Sequence, residues 1–174
     1  MSWENTQRIH STTFAKAGYP PLPVCQKPME SPPSHPDTDQ EYSLVLTFFR
    51  VAQFYGEQHR NIPRLRRPVP EPFLEIHMHT APAVGIIDGE WAVVETATGK
   101  VRLKAKFRDS LHPRVVATQY GWWQRCKELG RLAYDPFGPG GTNANLLVPN
   151  EAVDPIGGSV PLSAVSRQKG GYPS

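Results

Sequence analysis

Trp91-Ala-Val-Val-Glu-Thr-Ala-Thr-Gly-Lys-Val-Arg-Leu-Lys-Ala-Lys-Phe-Arg108 decides the fold class of this 174-residue chain. Within it Val101, Leu103, Ala105 and Phe107 alternate with Arg102, Lys104, Lys106 and Arg108. A period of two is the mark of a strand with one face on a core and one in water. Ala97-Thr98-Gly99-Lys100 supplies a turn between this strand and Trp91 to Thr96, so the stretch predicts a β-hairpin. The four cations read as a solvated face that blocks edge pairing, ahead of a row that attracts an acidic partner.

On either side of the hairpin the chain is cut into short apolar runs. Tyr42 to Arg50 is β-branched and aromatic, as a buried strand is. Val51 to Arg60 is ambiguous between loop and short helix. Phe73 to His77 and Arg114 to Thr118 read as strands, and Leu146 to Val148 and Val160 to Val165 are further strand candidates. Thr80 is placed to cap a short helix holding Pro82 in its first turn, and Ile86 to Gly89 ends it in a turn. Residues 1 to 19 are polar without a sustained period and read as a loose arm. Seven prolines between Pro20 and Pro36 predict an extended, irregular segment. Nineteen prolines and fourteen glycines argue against a helical bundle. Many short strands with one or two small helices predict a mainly β, closed barrel.

Composition narrows the function. The net charge of +3 and pI near 9.0 suit a phosphate-bearing ligand and fall short of a nucleic-acid footprint. The opening residues lack the apolar stretch of a signal peptide, and no run approaches a membrane span, so a cytoplasmic protein is expected. Cys25 and Cys126 make neither a disulfide framework nor a metal quartet and read as free thiols. Hydrolase elbow, phosphate-loop and dinucleotide glycine motifs are missing. His77 and His79 would share one strand face, but with no further ligand beside them they read as strand histidines without a metal.

Three clusters look like a binding surface. The segment Thr47 to Arg60 offers a hydroxyl, Arg50, His59 and Arg60. Arg64, Arg66 and Arg67 follow on a proline-stiffened loop, where most arginines are solvated. Tyr120-Gly-Trp-Trp123 sets a glycine between aromatic rings that can stack on a ligand or pack in a core. Asn143 and Asn145 carry amide donors and acceptors suited to a purine or pterin edge, or to capping a turn.

At these clusters the sequence resembles the C-terminal dinucleotide-binding domain of the molybdopterin oxidoreductases, the group of dimethyl sulfoxide reductases and molybdenum or tungsten formate dehydrogenases. The resemblance lies in Leu74-Glu-Ile-His77, Val84-Gly-Ile86, Asp88-Gly-Glu-Trp91, Val94-Glu-Thr96, Thr98-Gly99, Arg114-Val-Val116, Gly121-Trp-Trp123, Asn143-Ala-Asn-Leu146 and Asp154-Pro155. Upstream, Gly18 to Val24 and His59-Arg-Asn-Ile-Pro63 join it. It implies a six-stranded double-psi β-barrel over residues 41–166, behind a Pro-rich extended arm over 1–40 and ahead of a flexible tail over 167–174. It also implies that the chain binds the dinucleotide part of molybdopterin guanine dinucleotide as a separate domain or small subunit, with no catalytic or metal-ligating residue of its own. A partner oxidoreductase chain would then hold molybdenum or tungsten and any iron–sulfur cluster; separate dinucleotide-binding subunits of formylmethanofuran dehydrogenases are the precedent. The alternative is a non-catalytic interaction module that kept the barrel and lost cofactor binding; neither nucleic acid nor membrane is an expected partner.

Carried over, the cofactor-binding positions are Thr47, Arg50, His59, Arg60, Tyr120, Gly121, Trp122, Asn143 and Asn145. Arg50 and Arg60 are expected at pyrophosphate, the two asparagines at heterocycle edges, and Gly121 where the ligand nears the backbone. This chain has Phe48-Phe49 where the family commonly has Thr-Gly before the arginine. It has Gly56-Glu57 where relatives have His-Ser, and Tyr120 where histidine is frequent.

Overall fold

A computed structural model describes residues 11–20, 41–138, 141–151, 153 and 163–170. Nearly all of the proline-rich run, Cys25, Asp154-Pro155 and residues 171–174 of the tail lie outside the described residues. The strands are β1 (Leu44–Phe48), β2 (Phe73–His77), β3 (Trp91–Glu95), β4 (Lys100–Arg108), β5 (Val115–Thr118) and β6 (Ser163–Gly170). Three helices of four or five residues, α1 (Thr12–Lys16), α2 (Pro63–Arg66) and α3 (Thr80–Ala83), complete a mainly β architecture together with short 3-10 turns.

The predicted hairpin forms, with β3 and β4 antiparallel from Trp91↔Lys104 to Glu95↔Lys100. The mixed sheet curls in the order β1-β5-β2-β4-β3-β6, and β6 pairs with both β1 and β3, so it closes into a barrel. Two pairings are parallel, β1 with β5 and β2 with β4. Consecutive strands β1 and β2 straddle β5, while β4 and β5 straddle β2. Such crossings need long connections, which is why loops surround the strands.

Alternation supplies the core. Leu46, Leu74, Ile76, Val94, Val101, Leu103 and Val116 meet inside the barrel, each worth about 1.5–3 kcal/mol of burial. The outward cations of β4 are more engaged than a solvated face requires. Arg102 and Lys104 lie over the Trp91 ring at 4.9 and 5.7 Å, and Lys106 over Phe73 at 4.5 Å. Lys104 also pairs with Glu71 at 2.5 Å and Arg108 with Glu75 at 2.8 Å. Aromatic side chains on neighbouring strands give these cations faces to cover.

Four expectations change. Within the loose arm, Thr12–Lys16 is helical because the Ser11 hydroxyl accepts from Phe14 N at 3.3 Å, an N-cap. The N-cap position of α3 falls on His79, with no side-chain cap bond; Thr80 is the first helical residue, and its hydroxyl donates to the Pro113 carbonyl at 2.7 Å. The apolar run Leu146 to Val148 is no strand; Ala144–Leu147 is a 3-10 helix capped by Asn143. The last strand runs on to Gly170, inside the stretch read as a tail, because it pairs with Ala92 to Glu95. His79 lies just past β2, its ring edge-on to His77 with centroids 5.0 Å apart and its backbone N–H donating to His77 Nδ1.

Candidate functional site: a cleft at one mouth of the barrel

Parallel pairing brings the exits of β1 and β5 to the same end of the barrel. β3 points the same way, since β6 runs antiparallel to both β1 and β3. This mouth therefore gathers the segments after Phe48 and after Thr118 together with the tip of the β3–β4 hairpin. Between them lies a cleft of about 400 Å³, within the range of small-molecule sites. Phe48, Glu57 and Tyr120 line one part, and Asn145 and Asn150 bring amides, over Ala144, Val148 and Pro149.

The asparagine segment is fixed to the hairpin tip. Thr96 is buried and donates to the Leu147 carbonyl at 2.9 Å while accepting from Thr98 N and Gly99 N. A side chain on Gly99 would overlap the Leu146 carbonyl oxygen, so only a bare α-carbon lets the two backbones meet. Asn143 accepts from Asn145 N at 3.1 Å and donates to the Pro136 carbonyl at 2.9 Å. That bonding leaves the Asn145 side chain as the exposed amide of the pair.

Across the cleft, Arg50 Nε donates to the Tyr120 hydroxyl at 3.1 Å, bridging the exits of β1 and β5. That bond, then attraction to Tyr120, Tyr55 and Glu57, raises the guanidinium pKa above its ordinary value. Arg50 stays exposed and charged at the rim.

Behind this rim lies a second, polar interior. Arg60 and Arg66 are both buried, with guanidinium carbons 4.8 Å from the Trp122 ring centroid. Arg60 donates to the carbonyls of Gly56 and Tyr120, and Arg66 to those of Pro70, Arg60 and Gln124. A planar fork of donors suits arginine to such carbonyl gathering. Burial, with the like charge of Arg66 adding to it, pushes Arg60 down to about 10. Burial also lowers Arg66. Phe54 and Tyr134 close on Trp122 edge-on.

The comparisons with known proteins meet this geometry. The family described as Molydopterin (molybdopterin) dinucleotide binding domain matches residues 44–166, which takes in all the strands at the mouth. The chain belongs to that family. Among curated proteins it is 31% identical to acetylene hydratase of Syntrophotalea acetylenica over 121 residues, 69% of this chain and 16% of that protein. It is 30% identical to dopamine dehydroxylase of Eggerthella lenta over 164 residues, 91% of this chain and 15% of that protein. The catalytic polypeptide of a putative dimethyl sulfoxide reductase of Halobacterium salinarum is 43% identical over 92 residues, 53% of this chain and 11% of that protein. The solved acetylene hydratase from Pelobacter acetylenicus superposes with a TM-score of 0.71 at 25% identity, over 92% of this chain and 23% of that one. The chain thus spans about a sixth of these curated relatives or less.

Family membership makes molybdopterin dinucleotide the cofactor class, and the residues of the cleft fit it. An exposed guanidinium suits a phosphate, exposed amides suit a heterocycle edge, and Phe48 and Tyr120 offer ring faces. The residues anticipated from the family divide into two sets. Tyr120 and Asn145 line the cleft, and Arg50, bonded to the Tyr120 hydroxyl, stands beside it without lining it. Thr47 precedes them inside β1, paired with Ala117. His59 is exposed, with φ of 73°, and does not line the cleft.

The other expected positions are engaged within the molecule itself. Arg60 is buried against Trp122 and spends its fork on carbonyls rather than facing a pyrophosphate. Trp122 is buried between guanidiniums, and Trp123 is the exposed ring. Asn143 is engaged as a cap. Gly121 adopts φ of 76°, and the space its side chain would fill is taken by the stem of Glu57, not open to a ligand. Sequence reading missed Glu57, Phe48 and Asn150 as cleft residues. The Gly56-Glu57 departure was the signal for the first of them.

Among the described residues no helix is long and apolar enough to cross a membrane.

Proposed function

We propose that this chain supplies the dinucleotide-binding wall of a molybdenum or tungsten oxidoreductase of the formate dehydrogenase kind, as a separate domain or small subunit over residues 41–166. A partner chain carries the metal ligand and any iron–sulfur cluster. Among the site residues, Arg50 meets the pyrophosphate, Asn145 reads a heterocycle edge, and Tyr120 holds Arg50 in place while lending its ring. Thr47, Gly121 and Asn143 shape the backbone around them, Arg60 and Trp122 brace it, and His59 flanks it. The bound group supplies the metal centre; this chain orients it and shields one side from water.

The observation that carries the reading is that Tyr120 and Asn145, far apart in sequence, line one cleft, with Arg50 bonded to the Tyr120 hydroxyl beside it. The barrel path is inferred to be the double-psi type, supported by the two parallel pairs and by strands that straddle each other's partners. The relatives are several times longer than this chain, so the metal-bearing domains of such an enzyme are taken to lie outside these residues. Calorimetric titration of the purified chain with molybdopterin guanine dinucleotide tests the proposal. Saturable binding that Asn145→Ala weakens is the expected result.

A second reading, an interaction module without cofactor binding, draws on Phe48 and Glu57, which narrow the cleft and set a carboxylate in it. No saturable binding, with or without a candidate partner chain, would select it.

A further inference from the structure

We propose that Glu57 is the specificity residue of this cleft, its carboxylate accepting the paired N–H donors of a 2-amino-4-oxopyrimidine edge, which guanine and pterin share. This rests on the cleft being the cofactor site. Among the described residues, Glu57 is the one acid that lines it. The ion pairs of the barrel wall tie Glu71 and Glu75 to Lys104, Arg108 and Arg131, and Glu57 takes no part in them.

The stem of Glu57 is held in place, and the carboxylate it carries is exposed. Gly121 keeps a positive φ, and its bare α-carbon is the seat on which the α-, β- and γ-carbons of Glu57 lie. Any side chain at position 121 would drive Glu57 off that seat. The ring of Tyr120, next along the chain, lines the same cleft, as does that of Phe48. An acceptor pair on a fixed stem beside two aromatic faces has the form of a heterocycle reader.

Charge decides what the acceptor pair selects. A phosphate brought to this wall would meet a like charge, whereas Arg50 stands at the rim to receive it. An ionised carboxylate only accepts hydrogen bonds. It therefore favours an edge with two adjacent N–H donors and disfavours adenine, whose edge sets a ring-nitrogen acceptor beside its amino group. Glu57 is exposed in the unliganded cleft; a ring seated between it and the aromatic faces would cover the carboxylate, and a mismatched edge would then leave it unpaired.

The test titrates the full chain, Glu57→Gln and Glu57→Asp calorimetrically with GMP, AMP and pterin as separate probes. The wild type is expected to bind GMP or pterin at least about tenfold more tightly than AMP. Glu57→Gln, whose amide pairs one acceptor with one donor, is expected to lose that preference, and Glu57→Asp to keep it. Unchanged thermal midpoints confirm that the variants are folded. Whichever of GMP and pterin carries the preference identifies the ring. Equal affinities in the wild type, a preference that survives Glu57→Gln, or no binding of any probe would each overturn the role of Glu57. Molybdopterin guanine dinucleotide, titrated in parallel, separates the two levels. If it binds while the discrimination fails, only the role of Glu57 falls; if it too fails to bind, the cofactor reading falls with it.

Discussion

The barrel and the loop layer beside it are two interiors built on different physics. Inside the barrel, Leu46, Leu74, Ile76 and their neighbours bury apolar surface, which is non-directional and indifferent to which hydrophobe fills the space. Around Trp122, two guanidiniums hold five carbonyls, and the geometry of each bond matters. The first kind of interior makes a frame that tolerates repacking. The second makes loops with a single conformation, and the cleft is cut in those loops. Arg60 and Arg66 fix the loops beside the cleft through bonds to backbone carbonyls.

The sharpest way to break this contrast is to exchange like for like in each interior. Arg66→Lys keeps the charge and loses the fork that reaches Pro70, Arg60 and Gln124. It is expected to cost about 1.5–3 kcal/mol, the scale of a buried hydrogen bond to a charged group. Leu46→Met in the barrel is expected to cost less than about 1.5 kcal/mol. Denaturant melts of both variants measure the difference, and equal losses would erase the distinction.

Gly99→Ala probes the joint between the two interiors. The new methyl meets the Leu146 carbonyl, and a loss of about 1–3 kcal/mol is expected, with displacement of the Asn145 segment. Amide chemical shifts of residues 143–148 report the displacement. Arg50→Ala should leave the thermal midpoint where it is, because the side chain is exposed. It should weaken dinucleotide binding on the order of tenfold, the loss of one charge-assisted contact. A fall in stability with intact binding would reverse the roles assigned to rim and interior. The smallest effect belongs to the exposed pair Arg108–Glu75, where a double-mutant cycle should return about 0.2–1 kcal/mol, shrinking with added salt.

The frame was legible in the sequence and much of the second interior was not, for physical reasons. A hairpin announces itself because alternation and turn chemistry are local, and β2 likewise follows from five consecutive residues. Leu146 to Val148 fits strand or helix equally well, and the outcome was set by the Asn143 cap and by Thr96, some fifty residues away. Arg60 and Arg66 belong to a residue type that is mostly exposed. Their acceptors include Tyr120 and Gln124, which no local pattern connects to them. The resemblance pointed to Tyr120 and Asn145, which line the cleft, and to Arg50, which bonds to Tyr120. It could not separate residues facing the cleft from those bracing it, because that depends on side-chain direction within irregular loops.

Closure by β6 has a consequence for biogenesis. Among the described residues the strand that completes the sheet is the last in chain order, and it bridges β1 and β3, which otherwise present open edges. A nascent polypeptide emerging from the ribosome would carry both edges uncovered until that segment follows, and uncovered edges recruit other strands. Termination before position 163 should therefore yield insoluble product rather than a smaller soluble one.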